Sequence, residues 1–126
     1  MKKILIVEDE KFIRDLYVLV FTKDGFDVDS AIDGEEAINK VRVTSYDCIL
    51  LDIMLPKKNG IEVLKVIRSD ESIAKTTPVF MISNLGQEDI MKETFAMGAN
   101  GYLLKAEVTP SEIVNEVKTY LESHTH

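Results

Sequence analysis

A run of four apolar residues, Cys48–Leu51, leads directly into a single carboxylate, Asp52. Apolar runs of this length are typical of a strand that is covered on both faces, as in a parallel sheet. The segment that follows, residues 53–60, contains Pro56 and Gly60 and is predicted to be a loop. Asp52 should therefore lie where the strand leaves the sheet, at the carboxyl edge where open α/β sheets place their ligands and chemistry.

The composition is that of one folded domain. The chain has 126 residues, 45% of them hydrophobic, so disorder is not expected. Its 15 basic and 22 acidic residues give a net charge of -7, which argues against a nucleic-acid-binding surface and against anionic membranes. Cys48 is the only cysteine and is interpreted as a core residue in a reducing compartment. No membrane span and no signal peptide are evident, so the sequence predicts a cytoplasmic protein.

Short apolar runs alternate with segments of helical periodicity along the whole chain. Strands are predicted at residues 4–7, 26–31, 48–51, 79–82 and 102–104, with a helix after each. Helix termini are predicted at Gly25 and Gly98, at an Asp33 N-cap, and at a Thr109-Pro110 start. The residues expected to form the inward faces of the first and fourth helices are Phe12, Ile13, Leu16, Leu19, Val20, Ile90, Met91 and Phe95. This alternation predicts an α/β fold with a parallel sheet between helices, in one domain of residues 1–122 with a frayed tail at residues 123–126.

Polar residues follow four of the predicted strands at the points where these strands end. They are Glu8 and Asp9 after the first strand, Asp52 after the third, Ser83 after the fourth and Lys105 after the fifth. Taken singly, each is more usually a helix cap, a solvated charge or a surface lysine. Because parallel strands deliver their carboxyl ends to one edge of the sheet, all of them can meet there.

The chemistry predicted for this cluster is phosphoryl transfer. Carboxylates on one small patch raise one another's pKa unless a cation joins them, and an all-oxygen set without His or Cys suits Mg²⁺. A divalent ion and Lys105 together would stabilise a transferring phosphoryl group. Asp52 is the candidate nucleophile that forms an aspartyl phosphate, and the Ser83 hydroxyl would donate to a phosphoryl oxygen.

From Lys2 to about Leu121 the chain resembles a receiver domain of a two-component response regulator, of the CheY-like family. The segments that carry the resemblance are Ile4–Glu10, Asp52–Pro56 with Gly60, Ser83, and Tyr102 three places before Lys105. The resemblance implies a flavodoxin-like, doubly wound, five-stranded parallel sheet of order 2-1-3-4-5, flanked by five helices.

The resemblance also implies a function. Asp52 would accept a phosphoryl group from a sensor histidine kinase or a histidine phosphotransfer protein, and Lys105 would pair with that group. Mg²⁺ would be held by Glu8, Asp9, Asp52 and the backbone carbonyl of Met54. The domain is expected not to be an enzyme, but a phosphoacceptor that assists its own phosphorylation and dephosphorylation.

The same resemblance implies a switch between two packings. Ser83 would move toward the phosphoryl oxygens, and Tyr102 would turn inward to fill the vacated space. The face formed by the fourth helix, the fifth strand and the fifth helix would then present a changed surface to a downstream partner protein or output domain.

The sequence departs from similar proteins at three places. Ala106 stands where proline usually follows the site lysine, so the Lys105–Ala106 peptide is predicted to be trans. Asn84 stands where a small residue is usual, and we expect it to control access to the phosphoryl group and to alter the lifetime of that group. Asn100 and Gly101 replace an acidic pair typical of receivers that dimerise, so no dimer is predicted.

Three other functions compete with this interpretation. A flavin-binding protein of the same architecture should have a first loop rich in Ser, Thr and Gly, where this chain has the acidic Glu8–Glu10. A phosphatase with an aspartyl nucleophile usually has a second Asp at the position of Met54. The remaining alternative is a receiver-like interaction module that works without phosphorylation, against which the intact set of acids, hydroxyl and lysine argues.

Overall fold

The computed structural model describes residues 1–124, in which five strands alternate with five helices. The strands are β1 (Lys3–Val7), β2 (Asp27–Ala31), β3 (Cys48–Asp52), β4 (Val79–Ser83) and β5 (Gly101–Leu104). The helices are α1 (Lys11–Lys23), α2 (Gly34–Val43), α3 (Gly60–Ile67), α4 (Glu88–Ala96) and α5 (Pro110–Ser123). Every strand and helix predicted from the sequence is therefore present among these residues.

The strands form one parallel sheet in the order β2-β1-β3-β4-β5, which confirms the predicted flavodoxin-like fold. Val7 pairs with Leu51, Asp52 with Ile82, and Ser83 with Leu104. This register brings the carboxyl ends of the four strands β1, β3, β4 and β5 to one edge of the sheet. The polar residues that follow these strands are thereby delivered to a common place.

The sheet separates two apolar cores because successive side chains of a strand point to opposite faces. Leu5, Ile49 and Met81 pack with α2 and α3, whereas Ile6 and Leu50 pack with α1 and α5. Both faces of the central strands are covered, and every residue of β3 and β4 is buried. Continuous apolar runs in the sequence follow directly from this double coverage.

Cys48 belongs to the core on the α1 and α5 side, as predicted. Burial raises the pKa of its thiol. It is therefore a packing residue and not a reactive thiolate.

Side-chain caps and glycines set the helix boundaries. The predicted N-caps Asp33 and Thr109 accept backbone hydrogen bonds from Glu36 and Glu112 respectively. Gly25 and Gly98, with φ of 95° and 97°, follow α1 and α4 in the left-handed conformation that glycine adopts without steric cost. The sequence interpretation overlooked one cap, Asn59, which forms a capping box with Glu62 at the start of α3.

The edge strand β2 is fastened by a polar cluster around Asp29. The Tyr46 hydroxyl donates to Asp29 Oδ2 at 2.7 Å, and Lys40 Nζ donates to Asp29 Oδ1 at 2.9 Å. These bonds link β2 to α2 and to the residues that precede β3. They supply side-chain contacts on a strand that has a neighbour on one side only.

The predicted inward face of α1 is wrong in part. Phe12 is 80% exposed and Leu19 is also exposed, whereas Tyr17 and Phe21 are buried. The buried stripe therefore follows the i, i+4 series through residues 13, 17 and 21. Periodicity fixes the spacing of such a stripe, but the angle at which the helix lies on the sheet decides where it is centred.

The predicted inward position of Phe95 in α4 is also wrong. Phe95 is exposed, and the buried residue of this helix is Thr94. A buried threonine is tolerated because its hydroxyl donates to the backbone carbonyl of Met91 at 2.9 Å. A search for apolar residues alone passes over such a position.

Three smaller expectations concern the chain termini and the backbone. The peptide bonds of the described residues include no cis bond, so Lys105–Ala106 is trans, as predicted. The frayed tail expected at residues 123–126 lies partly outside the described residues; within them, Ser123 ends α5 and His124 stacks on Tyr120 with ring centroids 3.9 Å apart. None of the helices between residues 1 and 124 combines the length and apolar character that a bilayer crossing requires.

Candidate functional site

A half-buried lysine and two buried carboxylates lie at the carboxyl edge of the sheet. Lys105 Nζ is 2.7 Å from Asp52 Oδ2 and 2.7 Å from Glu8 Oε1. Glu8 is 1% exposed, Asp52 is 2% exposed, and the lysine side chain is 14% exposed. Residues from β1, β3 and β5 are thus brought together although Asp52 and Lys105 are 53 positions apart in the chain.

The charges in this cluster do not balance, because one ammonium faces two carboxylates. Burial raises the pKa of Glu8 to about 6; the hydrogen bond to Lys105 opposes the rise, and the charge of Asp52 adds to it. Burial also disfavours the charge of Lys105, but its hydrogen bonds to Asp52 and Glu8 prevail and raise the pKa of the ammonium. The lysine is therefore charged at neutral pH, and the site retains excess negative charge.

Asp9 completes a set of three acids. One carboxylate oxygen each from Glu8, Asp9 and Asp52 can lie within 4.8 Å of the others. Glu8 Oε1 is buried, and its close polar partner is the Lys105 ammonium at 2.7 Å, which it shares with Asp52. An oxygen-only set with surplus negative charge fits a hard divalent cation such as Mg²⁺.

Met54 lies next to Asp52 at the mouth of the site. Its backbone N–H donates to Asp52 Oδ1 at 3.2 Å, and its side chain is exposed. The backbone of the β3–α3 loop therefore runs beside the carboxylate, where the sequence interpretation placed a carbonyl ligand.

Gly60 allows the helix after this loop to start against the end of β3. A Cβ atom at this position would lie 2.2 Å from the backbone oxygen of Asp52, which no side chain can do. The Gly60 N–H donates to the carbonyl of Ile53 at 2.8 Å. In the same loop Lys57 adopts φ of 66°, a left-handed conformation that is uncommon for a residue with a side chain. Local strain and close packing together shape the loop beside Asp52.

Arg14 is a site residue that the sequence interpretation missed. Its Nη1 donates to the backbone carbonyl of Glu8 at 2.9 Å and to that of Asp9 at 3.2 Å. The sequence did contain a signal for this contact, because α1 begins shortly after the acidic pair and carries a basic residue about one turn from its start. It was overlooked because only the apolar residues of α1 were used to orient that helix.

Ser83 and Tyr102 are both engaged by the loop between β4 and α4. Ser83 is fully buried, and its Oγ accepts a hydrogen bond from the Leu85 N–H at 3.0 Å. The Tyr102 hydroxyl donates to the Leu85 carbonyl at 2.5 Å. One backbone segment thus connects the two predicted switch residues.

An open cleft of about 590 Å³ leads to the acids. Its lining includes Asp9, Asp52, Met54, Asn84 and Lys105. Asn84 is exposed, so it stands where a molecule entering from solvent passes the carboxylate. The cleft offers space for a small anionic group beside Asp52 and Lys105.

Comparisons with known proteins agree with this geometry. The family model of the response regulator receiver domain matches residues 4–118. The transcriptional regulatory protein ResD of Bacillus subtilis (strain 168) is 39% identical over 119 residues, which are 94% of this chain and 48% of ResD. The chain thus spans about half the length of this curated relative.

Solved structures of receiver domains superpose over almost the whole chain. The Francisella response regulator 1452 receiver domain has a TM-score of 0.89 at 29% identity, with 98% of each chain covered. The phosphorylated cyanobacterial phytochrome response regulator RcpA has a TM-score of 0.86 at 31% identity, with 99% of this chain and 96% of that chain covered. With the buried acids and lysine at the sheet edge, these matches show that the chain belongs to the response regulator receiver domain family, the phosphoacceptor switches of two-component signalling.

Proposed function

We propose that Asp52 is the residue that accepts the phosphoryl group, from a phosphohistidine of a sensor histidine kinase or a histidine phosphotransfer protein. The observation that carries this proposal is the Lys105 ammonium 2.7 Å from the Asp52 carboxylate, in a cleft that opens to solvent. A carboxylate oxygen of Asp52 forms a bond to phosphorus while the phosphorus–nitrogen bond breaks, and its electron pair stays on the imidazole. Receiver domains interact with histidine kinases and with output domains, which supports this class of donor.

We assign the magnesium ligands as Glu8, Asp9, Asp52 and the backbone carbonyl of Met54. Support comes from the clustering of the three carboxylates and from the excess of negative charge that one lysine leaves beside them. When bound, Mg²⁺ neutralises the carboxylates and stabilises the charge of the transferring phosphoryl group. Lys105 supplies the second positive charge, and because its ammonium already lies beside Asp52, little reorganisation is needed.

The switch follows from the hydrogen bonds of Ser83 and Tyr102. The phosphoryl oxygens are strong acceptors and would accept a hydrogen bond from the Ser83 hydroxyl, whose oxygen accepts one from the Leu85 N–H. Movement of Ser83 shifts the Leu85 segment, and the Tyr102 hydroxyl is bonded to the same segment. The change therefore reaches β5 and the face that it shares with α4 and α5, where a downstream partner or an output domain reads it.

The domain assists its own phosphorylation and dephosphorylation and is not an enzyme acting on other molecules. In dephosphorylation a water molecule attacks phosphorus, inorganic phosphate leaves, and the Asp52 carboxylate is restored. Asn84 at the cleft mouth controls access of this water, so Asn84→Ala should change the dephosphorylation rate. An unchanged rate would rule out this role. We assign the domain to residues 1–122 and the reaction to the cytoplasm, in keeping with the single buried Cys48.

The decisive experiment is incubation with acetyl phosphate and Mg²⁺, read by intact mass. The wild type should gain the mass of one phosphoryl group, and Asp52→Ala should gain none. Asp70→Ala is a matched control, because the exposed Asp70 lies in the loop after α3. An unmodified wild type would instead favour a module that binds partners without phosphorylation.

A further inference from the structure

Arg14 contacts the backbone of both acids that begin the site. We propose that Arg14 is a positioning residue, which holds the loop between β1 and α1 in the conformation that lets Glu8 and Asp9 bind Mg²⁺. This inference rests on the function proposed above.

The hydrogen bonds of Arg14 act on the two peptide groups that carry the acids. A single nitrogen, Nη1, donates to the Glu8 carbonyl at 2.9 Å and to the Asp9 carbonyl at 3.2 Å. The direction of a Cα–Cβ bond follows the backbone conformation of its residue, so holding these carbonyls restricts the directions in which the two side chains leave the loop. A metal site needs that orientation before the ion arrives.

Few other side chains hold this loop within the described part of the chain. The α1 N-cap residue, Glu10, makes no side-chain capping hydrogen bond, and no acidic residue lies in the first turn. The Glu10 N–H donates to Glu8 Oε2 at 3.1 Å, a bond that uses an oxygen of a ligand residue. Among the described residues, Arg14 therefore holds the backbone of this loop without being one of the proposed magnesium ligands.

The charge of Arg14 and its hydrogen bonds have opposite effects on magnesium affinity. A guanidinium near the acids repels an incoming cation, so loss of the charge alone should tighten binding. Loss of the two hydrogen bonds should loosen the loop and weaken binding. Lysine keeps the charge on a side chain that is shorter than that of arginine and does not extend as far as Nη1, so Arg14→Lys and Arg14→Gln together separate the two effects.

The test is a magnesium titration of the wild type, Arg14→Lys, Arg14→Gln and Lys23→Gln by isothermal calorimetry. Lys23 is exposed at the other end of α1, about 13 Å along the helix, so it controls for the loss of one positive charge beyond the Debye length. Arg14→Lys should bind Mg²⁺ about tenfold more weakly, as for residues that orient metal ligands, and Arg14→Gln should also bind more weakly but by a smaller factor, because loss of the charge offsets part of the effect. The Lys23 variant should bind like the wild type.

A second measurement does not require bound Mg²⁺. In magnesium-free samples, the amide resonances of residues 8–10 should shift or broaden in both Arg14 variants, while those of β3 and β4 stay in place. Equal or tighter magnesium binding by both Arg14 variants would overturn the proposal. Arg14→Lys, which keeps the charge and most of the side chain, serves if Arg14→Gln fails to fold. Failure of the wild type itself to bind Mg²⁺ would instead refute the function proposed above.

Discussion

Replacement of Lys105 by methionine tests how the two buried carboxylates are held. Methionine occupies a similar volume but has no charge and no hydrogen-bond donor. In the variant Glu8 and Asp52, which are 1% and 2% exposed, would face each other without a counter-charge. We therefore expect the metal-free protein to lose stability although the substitution lies at the edge of the sheet.

The expected loss is about 3 kcal/mol. Removal of one partner of a buried ion pair costs about 3–5 kcal/mol. The lower end applies here because the Lys105 side chain is 14% exposed and Glu8 can take up a proton. A loss of this size is about a fifth to three fifths of the free energy of unfolding of an ordinary domain.

The assay is urea unfolding of metal-free protein in EDTA, followed by circular dichroism over a range of pH. Lys105 opposes the raised pKa of Glu8, so in the variant this pKa should rise above about 6. A carboxyl group with a raised folded-state pKa stabilises the native state at low pH and loses that contribution as pH rises through the folded pKa. The deficit of Lys105→Met should therefore be largest at about pH 8 and shrink toward about pH 5.

Lys118→Met is the matched control. Lys118 pairs with Asp24 at 3.2 Å, but its side chain is 48% exposed, and such surface pairs contribute about 0–1 kcal/mol. Equal losses for the two variants, or a Lys105→Met deficit that does not depend on pH, would refute the reasoning. Either result would mean that solvent, and not Lys105, balances the charges of the two carboxylates.

Three further predictions concern the backbone and the edge strand. Lys57→Gly should stabilise the protein by about 0.5 kcal/mol in chemical unfolding, because it relieves φ of 66°, whereas Lys58→Gly, with no positive φ to relieve, should destabilise it. Gly60→Ala should lower the free energy of unfolding by about 1–3 kcal/mol, because its Cβ would lie 2.2 Å from a backbone oxygen of β3; Gly86→Ala, whose nearest contact is at 3.7 Å, should be close to neutral. For Asp29, burial raises the pKa, but hydrogen bonds from its tyrosine and lysine partners prevail and lower it. Its contribution should be present at neutral pH and lost as pH falls through the folded pKa, so the stability difference between the wild type and Asp29→Asn should vanish in acid.

The strands and helices could be predicted from local patterns. Successive side chains of each strand point to opposite faces of the sheet, and several helices begin at recognisable N-cap residues. The run Cys48–Leu51 is apolar throughout since β3 is covered on both faces, and that signal needs no knowledge of its neighbours. The strand order came from the resemblance, since short-range patterns do not encode which strands pair. The acids and Lys105 could be placed at one edge because parallel strands share a direction.

The features that the sequence did not predict have one physical cause. Several residues of an element are equally suitable by local pattern, and contacts with distant parts of the chain decide which of them is buried or hydrogen-bonded. Phe12 and Tyr17 are both apolar on α1, and only the position of the helix on the sheet buries the second. Arg14 is an ordinary helical arginine until the β1–α1 loop brings two carbonyls to it. The bond between Asp29 and Tyr46 spans 17 residues and likewise has no local signature.

The long separation in sequence between Asp52 and Lys105 has a consequence for the newly synthesised protein. Lys105 follows the last strand of the sheet, which lies at its edge. Until the segment that carries β5 has emerged from the ribosome and joined the sheet, Glu8 and Asp52 therefore lack the ammonium that lies beside them in the folded domain. A chain truncated before β5 is thus expected to leave two buried carboxylates without a counter-charge, and it should be less stable than the intact domain.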